Sequence, residues 1–273
     1  HVRSRRQRQM CIRDSICGDD DINKIVLDKW NKDIFYGISK YGIGLDKIDL
    51  EYAKKVGIKV RNCKGVNSDT VAEHVFAKIL AYSKNLFDHY TNTKKGEWKR
   101  FAGFDIKNKK IMIVGFGAIG KRVAELAKAF KMNIFVVDPF VETKDYKSCD
   151  KISDLISDVD FLTLHTNLND STFELVNKDS LSLCNKKLVI INTSRGHVVS
   201  EVDIISMLKE NKMQAYLTDV LQEEPMTADN KIWNSHNEIF ISTHTASRTI
   251  DNVELQAIES IENMDQLINE KNS

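Results

Sequence analysis

A glycine-rich turn follows an apolar run at residues 111–120, whose sequence is IMIVGFGAIG. Residues 111–114 are β-branched or otherwise apolar, as a buried parallel strand requires. Gly115 permits a tight turn, Gly117 lets the backbone approach a pyrophosphate, and Gly120 lets the following helix pack closely on the strand. The helix predicted after this turn would offer free N–H groups to phosphates. The pattern predicts a dinucleotide site, although an ordinary βαβ turn is the alternative because glycine-rich turns are common.

An acidic residue, Asp138, ends the next apolar run, Asn133–Val137. A carboxylate at this place accepts hydrogen bonds from ribose hydroxyls and repels a 2′-phosphate. Residues 139–141, Pro-Phe-Val, include no arginine that could hold such a phosphate. The sequence therefore predicts NAD rather than NADP as the cofactor.

Composition narrows the class of protein further. The 273 residues carry a formal net charge of +1, which gives no broad electrostatic case for nucleic acid. No apolar run approaches the roughly 20 residues that span a bilayer. The five cysteines are scattered, with no CxxC and no metal-like grouping, which is typical of reduced thiols in a cytosol. We expect a cytoplasmic protein with no metal site and no nucleic-acid or membrane partner.

Strand-like and helix-like segments alternate along most of the chain, which predicts an α/β fold with a doubly wound parallel sheet. Upstream of the glycine turn, strands are predicted at 35–39 and 59–61, and helices at 48–56 and 69–90. From the turn onward, strands are predicted at 111–114, 133–137, 160–164, 188–192, 215–219 and 238–241, and helices at 118–130, 151–157, around 178–182, 201–210 and 250–269.

Three polar segments follow predicted strands and contain Arg195, Glu224 and His244. In an open α/β sheet ligands bind outside the carboxyl ends of the strands, so these segments should face one crevice. Arginine can grip a carboxylate with two charge-assisted hydrogen bonds, and histidine can carry the proton that accompanies hydride transfer. A glutamate beside the histidine would orient the ring and raise its pKa. Taken alone, each of the three residues also has an ordinary structural explanation. The three segments are residues 192–196, 219–225 and 242–244.

Over roughly residues 16–269 the chain resembles the D-isomer-specific 2-hydroxyacid dehydrogenases, particularly their 3-phosphoglycerate dehydrogenase branch. The motifs that carry the resemblance are YGIGLDKIDL at 41–50, NSDTVAEHVFAKIL at 67–80, GFGAIGKRVAELAKAF at 115–130, INTSRG at 191–196, DVLQEEP at 219–225 and STHTASRT at 242–249. It implies a Rossmann cofactor domain and NAD-dependent interconversion of a D-2-hydroxy acid and a 2-oxo acid, with 3-phosphoglycerate as one candidate.

The resemblance also implies site residues. Arg195 would bind substrate carboxylate, Glu224 would orient the acid/base His244, and the backbone of Ile43 and Gly44 would contact the substrate. The implied cofactor contacts are Thr193 and Ser194 at the nicotinamide ring, Asp219 at its carboxamide, Ala118 and Ile119 at the pyrophosphate, and Thr166 near the adenosine.

Three other functions stay open on the residues alone. The first is an NAD-sensing, non-enzymatic scaffold resembling the C-terminal-binding corepressors. The second is a formate dehydrogenase, which Glu224 disfavours because that relative has glutamine there. The third is a Rossmann dehydrogenase of another family, which the order of Arg195, Glu224 and His244 disfavours.

The resemblance implies a discontinuous, flavodoxin-like substrate domain at 16–66 and 250–273 around an NAD-binding domain at 67–249. We expect the substrate domain to be incomplete through N-terminal truncation, so that the chain is a fragment. Residues 1–15 carry five of the ten arginines and are expected to be a non-native leader. A small-molecule acid as substrate and a homodimer are the implied partners.

Overall fold

A computed structural model describes residues 15–17, 20–30, 37–141, 143–230 and 232–272. These residues divide into two compact units. The small unit comprises the chain up to Asn67 and from Arg248 onward, and the large unit is Ser68–Ser247. Residues 1–14 of the expected leader lie outside the described residues.

Ten strands and seven α-helices are described. The strands are β1 Ser15–Cys17, β2 Gly37–Lys40, β3 Lys59–Asn62, β4 Lys110–Val114, β5 Asn133–Val137, β6 Lys147–Cys149, β7 Phe161–Leu164, β8 Val189–Asn192, β9 Ala215–Thr218 and β10 Ile239–Ile241. The helices are α1 Lys24–Asp28, α2 Leu50–Lys55, α3 Ser68–Ser83, α4 Leu86–Lys94, α5 Ala118–Ala129, α6 Glu201–Lys209 and α7 Ile250–Asn272.

The small unit contains a parallel sheet in the order β1-β2-β3. Its apolar core includes Leu27 of α1, Ile38 of β2 and Ala53 of α2, each at most 1% exposed. Helix α7 joins the unit through buried polar contacts, since the Ser39 hydroxyl donates to the Ser260 carbonyl at 2.7 Å.

The large unit contains a seven-stranded sheet, all parallel, in the order β10-β9-β8-β7-β4-β5-β6. This order confirms the predicted doubly wound α/β fold. Ile111 and Ile113 of β4 face the core beneath α3 and α5, whereas Met112 and Val114 face the opposite core. Both faces are buried, which explains why the strand sequences are continuously apolar rather than alternating.

The prediction of one continuous helix over 69–90 is wrong. The structure has two helices, α3 and α4, separated at Asn85, whose backbone is left-handed with φ of 52°. The Ser83 carbonyl accepts from Phe104 N at 2.8 Å instead of continuing the helix. Asparagine tolerates the left-handed region better than most residues, which allows the chain to turn there.

Two more predicted helices are wrong. Residues 151–157 form two 3-10 turns, Ile152–Asp154 and Ile156–Asp158, in which serine and aspartate favour turns over a continuous helix. The segment around 178–182 is a turn, because the Asn177 side chain accepts from the backbone N–H groups of Asp179 and Ser180 at 3.0 and 2.9 Å. The prediction also missed β6, a short and partly exposed edge strand without an apolar pattern.

Candidate active site

The glycine turn begins where β4 ends. Gly115 has φ of +89°, a conformation that favours glycine. A Cβ there would also lie 2.6 Å from the His165 carbonyl oxygen, so both the backbone conformation and the lack of space exclude a side chain. A Cβ on Gly120 would lie 2.1 Å from the Gly115 carbonyl oxygen, which brings α5 against the turn. A Cβ on Gly117 would meet no other atom within 4 Å. The turn therefore has open space at Gly117 and close packing at its other two glycines.

Asp138 lies at the carboxyl end of β5 and supports the glycine turn directly. Its carboxylate accepts from the backbone N–H of Phe116 at 2.7 Å and from that of Phe140 at 2.9 Å. Two N–H donors leave lone pairs free on a carboxylate, because each oxygen has two. The acid predicted as a ribose ligand thus also fixes the turn, a role that the sequence alone did not indicate.

Two buried hydroxyls at neighbouring strand ends have unused hydrogen-bonding capacity. Among the described atoms, Thr166 Oγ1 after β7 and Thr193 Oγ1 after β8 have no hydrogen-bond partner. Buried polar atoms of this kind are uncommon and fit a site that a polar ligand completes. At the start of α5 the N-cap residue Gly117 provides no side-chain cap, so the first-turn N–H groups of Ala118 and Ile119 suit an anion. These features fit a bound dinucleotide.

His244 and Glu224 form the central contact of the site. His244 Nδ1 lies 2.7 Å from Glu224 Oε2. The hydrogen bond to Glu224 raises the pKa of His244 against the opposing effect of burial. Burial alone would raise the pKa of Glu224, but hydrogen bonds from His244 and from Leu221 N, with the charges of His244 and Arg195, lower it. An ionised carboxylate only accepts, so Nδ1 carries the proton and Nε2 is left for a ligand.

The loop that carries Glu224 is fixed by hydrogen bonds from its own backbone N–H groups to two carboxylates. Leu221 N donates to Glu224 Oε1 at 2.7 Å, and Gln222 N donates to the buried Glu201 carboxylate at 2.8 Å. A Cβ on Gly196 would lie 2.0 Å from the Leu221 carbonyl carbon, so only glycine lets the two loops pack together. Sequence reasoning missed Glu201 and gave Gly196 no role of its own.

Arg195 follows β8 in the same unit, and its charge influences the pKa of both His244 and Glu224. Its Nη1 donates to the Ser194 carbonyl at 2.8 Å. The buried Asn192 amide donates to the Arg195 carbonyl at 3.0 Å and accepts from the Ser194 hydroxyl at 2.8 Å. The sequence analysis gave Asn192 no role, although asparagine two residues before a serine is a common signal for such a side-chain turn. The Ser194 hydroxyl is thus committed to Asn192.

Asp219, predicted at the nicotinamide carboxamide, is buried after β9 and accepts from the loop that carries His244. Its carboxylate accepts from Thr245 N at 3.1 Å, from Ala246 N at 2.7 Å and from the Ser242 hydroxyl. Its carbonyl accepts from His244 N at 2.8 Å. The large unit therefore brings together Arg195, Glu224, His244 and Asp219.

The predicted substrate turn with Ile43 and Gly44 lies in the small unit. The Asn62 amide donates to the Ile43 carbonyl at 2.6 Å, and Cys63 N donates to the Gly42 carbonyl at 3.0 Å. Both contacts come from the end of β3 and fix the turn after β2.

A parallel sheet with a glycine turn, an acid after the second strand and an Arg–Glu–His group at the strand ends defines a dinucleotide-binding domain of the dehydrogenase type. Residues 76–246 match the sequence model of the NAD-binding domain of the D-isomer specific 2-hydroxyacid dehydrogenases. The chain belongs to the D-isomer specific 2-hydroxyacid dehydrogenase family, and the residues that match the NAD-binding domain lie within its large unit.

Individual relatives agree with this assignment. The D-3-phosphoglycerate dehydrogenase of Methanocaldococcus jannaschii is 33% identical over 237 residues, which are 82% of this chain and 45% of that protein. The hydroxypyruvate reductase of Thermotoga maritima is 32% identical over 233 residues, 82% of this chain and 75% of that protein. The chain thus spans less than half the length of the first relative and three quarters of the second.

A crystal structure gives the same result for the fold. The D-lactate dehydrogenase of Aquifex aeolicus, solved with NAD and lactic acid, superposes with a TM-score of 0.84 and 25% identity over 92% of this chain and 81% of that one. These comparisons confirm the predicted family and fold and support NAD as the cofactor. They do not support the corepressor-like alternative. Within the described part of the chain, no helix has both the length and the apolar character to cross a membrane.

Proposed function

We propose that this chain is an NAD-dependent 2-hydroxyacid dehydrogenase that interconverts a D-2-hydroxy acid and a 2-oxo acid. The observation that carries the proposal is the 2.7 Å contact between His244 and Glu224 in the same unit as Arg195 and the glycine turn. Bound at this site, the NAD couple would supply the hydride acceptor for oxidation of the hydroxyl-bearing carbon and the hydride donor for the reverse reaction. The proton of the hydroxyl group goes to the protein and then to water, which balances the reaction.

His244 is the acid/base in this proposal. Its Nε2 accepts the hydroxyl proton during oxidation and donates it to the carbonyl oxygen during reduction, while Nδ1 stays bonded to Glu224. The raised pKa of His244 keeps more of the ring protonated near neutral pH, which favours reduction of the 2-oxo acid. Glu224 is a positioning residue, because it holds the tautomer and the ring orientation.

Arg195 is proposed to bind the substrate carboxylate, since its planar guanidinium presents two parallel N–H donors. Ile43 and Gly44 are proposed to add backbone N–H groups, with Asn62 fixing that turn at the Ile43 carbonyl. For the cofactor we propose that Asp138 binds the ribose and that the backbone N–H groups of Ala118 and Ile119 bind the pyrophosphate. The unpaired hydroxyls of Thr166 and Thr193 are further proposed ligands. The remaining proposed contacts are the turn glycines, which shape the site, and two residues on the nicotinamide side: Gly115, Gly117, Gly120, Ser194 and Asp219.

The substrate is proposed only as a class, a small 2-oxo or 2-hydroxy acid. The relatives are named for 3-phosphoglycerate, glyoxylate and hydroxypyruvate, which share that group and differ in the rest of the molecule. Initial rates of NADH oxidation with glyoxylate, hydroxypyruvate, pyruvate and the phosphorylated 2-oxo acid of 3-phosphoglycerate would identify the preferred one.

The decisive test is His244→Ala, which removes the acid/base without touching the glycine turn. We expect turnover to fall by about 10²- to 10⁴-fold, the usual contribution of a general acid or base. NADH binding, followed by fluorescence titration, should stay within about twofold of wild type. Full turnover in His244→Ala would overturn the proposed role of His244. A wild-type chain that turned over none of the 2-oxo acids tried would overturn the proposed enzymatic activity.

We also propose a cytoplasmic homodimer that buries an apolar surface around α4. Leu86, Phe87, Tyr90 and Trp98 are 47–86% exposed, and a second copy of this chain would bring equivalent patches together. Light scattering after gel filtration should give twice the mass of one chain, and Trp98→Lys with Tyr90→Lys should reduce it to one. Among the described residues, Cys63, Cys149 and Cys184 are free thiols, which supports a reducing compartment.

A further inference from the structure

The acid/base histidine lies on strained backbone. His244 has φ of 54°, in the left-handed region that residues other than glycine seldom occupy. The hydrogen bonds to Asp219 from the N–H groups of residues 244, 245 and 246 hold the loop in this conformation. Placement of the His244 ring therefore depends on the position of Asp219, whose main-chain carbonyl and carboxylate both accept from this loop.

That carboxylate is fully buried, with a side chain that is 0% exposed. A buried carboxylate is costly unless other groups satisfy it. Helix α3 places two side chains near Asp219, His74 and Lys78, which lie one turn apart on the same helix face. His74 Nε2 lies 3.5 Å from Asp219 Oδ1 and 3.2 Å from the Ser242 hydroxyl. Lys78 Nζ donates to the Thr218 carbonyl at 2.9 Å, directly before Asp219.

We propose that His74 and Lys78 are positioning residues, which hold Asp219 and the end of β9 so that residues 242–246 present His244 to the substrate. The proposal deepens the proposed function, because it rests on His244 being the acid/base. Neither residue belongs to the Arg–Glu–His group, and both act through Asp219. The sequence contained the pair in the segment NSDTVAEHVFAKIL, where His74 and Lys78 are four residues apart.

The charges around Asp219 make Lys78 the cation of the pair at neutral pH. Burial lowers the pKa of Lys78 to about 8, while the Asp219 charge opposes that shift. Burial lowers the pKa of His74 as well, with Asp219 opposing and Lys78 adding to the effect. From the 242–246 loop His244 is near the same carboxylate; the hydrogen bond to Glu224 is the main cause of the raised pKa of His244, and the Asp219 charge adds to it. The Lys78 cation is thus present at neutral pH and is lost as pH rises through about 8.

Amide hydrogen exchange tests, without relying on turnover, whether Lys78 and His74 hold Asp219 and the 242–246 loop. The amides to follow are those of Thr245 and Ala246, which donate to Asp219. The amide of Phe116 is a matched reference, because it also donates to a carboxylate, that of Asp138, at 2.7 Å. Lys78→Met removes the charge at similar length, Lys78→Arg keeps it at all pH values used, and Lys128→Met on α5 is the control for loss of an exposed lysine.

In Lys78→Met we expect exchange at Thr245 and Ala246 to quicken about tenfold relative to Phe116, roughly the loss of one charge-assisted hydrogen bond. In the wild type the same ratio should rise between pH 7 and 9, and in Lys78→Arg it should stay flat. His74→Gln should shift the ratio in the same direction and serves as the second variant should Lys78→Met fold poorly. An unchanged ratio in Lys78→Met, an equal change in Lys128→Met, or equal quickening at Phe116 would overturn the proposal.

The turnover measurement then separates positioning from binding. Lys78→Met should lower kcat by about tenfold while the KM for the 2-oxo acid and the Kd for NADH change less than about twofold, and Lys78→Arg should restore kcat at pH 7. A rise in KM with unchanged kcat would contradict positioning of His244. If the wild type turned over no 2-oxo acid while exchange behaved as expected, the proposed function would fail, and the positioning of Asp219 and the end of β9 by Lys78 would stand.

Discussion

His244 Nδ1 lies 2.7 Å from Glu224 Oε2, and the two side chains remain 48% and 35% exposed. The contact shifts the two groups in opposite directions, raising the pKa of His244 and lowering that of Glu224. An ion pair is therefore favoured in a site that water can still reach. Its stabilising effect is modest at such exposure, so its main consequence is the protonation state of the ring.

Glu224→Gln should move the pH dependence of catalysis. The hydrogen bond to Glu224 is the largest cause of the raised His244 pKa, and glutamine removes the charge that strengthens it. Reduction of a 2-oxo acid needs protonated His244, so the alkaline limb of kcat/KM should move to lower pH. Rates of NADH oxidation from pH 5 to 10 provide the measurement.

Glu223→Gln is the matched control for this variant, because Glu223 is the adjacent acid on the same loop and lies outside the hydrogen-bonded pair. Its profile should coincide with that of the wild type. Identical limbs in Glu224→Gln and wild type would mean that Glu224 does not set the protonation of His244.

Two glycines of the turn should separate stability from cofactor binding. Gly120→Ala places a Cβ 2.1 Å from the Gly115 carbonyl oxygen, so α5 must move and the free energy of unfolding should fall by about 1–3 kcal/mol. Gly117→Ala meets nothing within 4 Å and should cost less than about 1 kcal/mol. A bound pyrophosphate would occupy that open space, so Gly117→Ala should weaken NAD at least about tenfold.

Urea unfolding and isothermal titration with NAD, run on both variants, check this prediction. Full NAD affinity in a well-folded Gly117→Ala chain would contradict the pyrophosphate site. Equal stability of Gly120→Ala and wild type would contradict the close packing of α5 on the turn.

Much of this architecture follows from local sequence. Residues 111–114 are buried on both faces, and such strands are apolar throughout and easily located. Asn85 was not located as a break because its left-handed backbone interrupts an apolar pattern that the sequence continues. The edge strand β6 buries little and therefore has no pattern to detect.

The candidate site likewise has a part that the sequence predicts and a part that it does not. Glycines and an acid at fixed spacing are visible in the sequence because the chemistry of a dinucleotide demands them. Contacts between segments far apart in the chain are not visible. Lys78 donates to a carbonyl 140 positions away, and Glu201 accepts from Gln222 across 21 positions. Only the folded chain brings those groups together.

Asp138 should decide between NAD and NADP. Asp138→Ala removes the ribose acceptor and the carboxylate that repels a 2′-phosphate, so the ratio of the two Kd values should move toward NADP by about 10- to 100-fold. Asp138→Asn is the informative companion, because it keeps an acceptor for Phe116 N while removing the charge. Titration of each variant with both cofactors gives the ratio, and a ratio that stayed at the wild-type value in Asp138→Ala would rule out this role.

Arg195→Lys should weaken substrate handling strongly while leaving the fold intact. Lysine keeps the positive charge but cannot reproduce the planar fork, and the hydrogen bond from Nη1 to the Ser194 carbonyl that orients the side chain is lost with it. Loss of one charge-assisted hydrogen bond to the carboxylate corresponds to a fall in kcat/KM of about 10- to 100-fold, with most of it in KM for the 2-oxo acid. Arg122→Lys is the control, because Arg122 lies on α5 and pairs with Asp69 and Glu125. Steady-state kinetics at saturating NADH distinguish the two arginines. Equal kcat/KM in Arg195→Lys and Arg122→Lys would show that the carboxylate is bound elsewhere, because Arg195 is the one of these two arginines whose charge acts on His244 and Glu224.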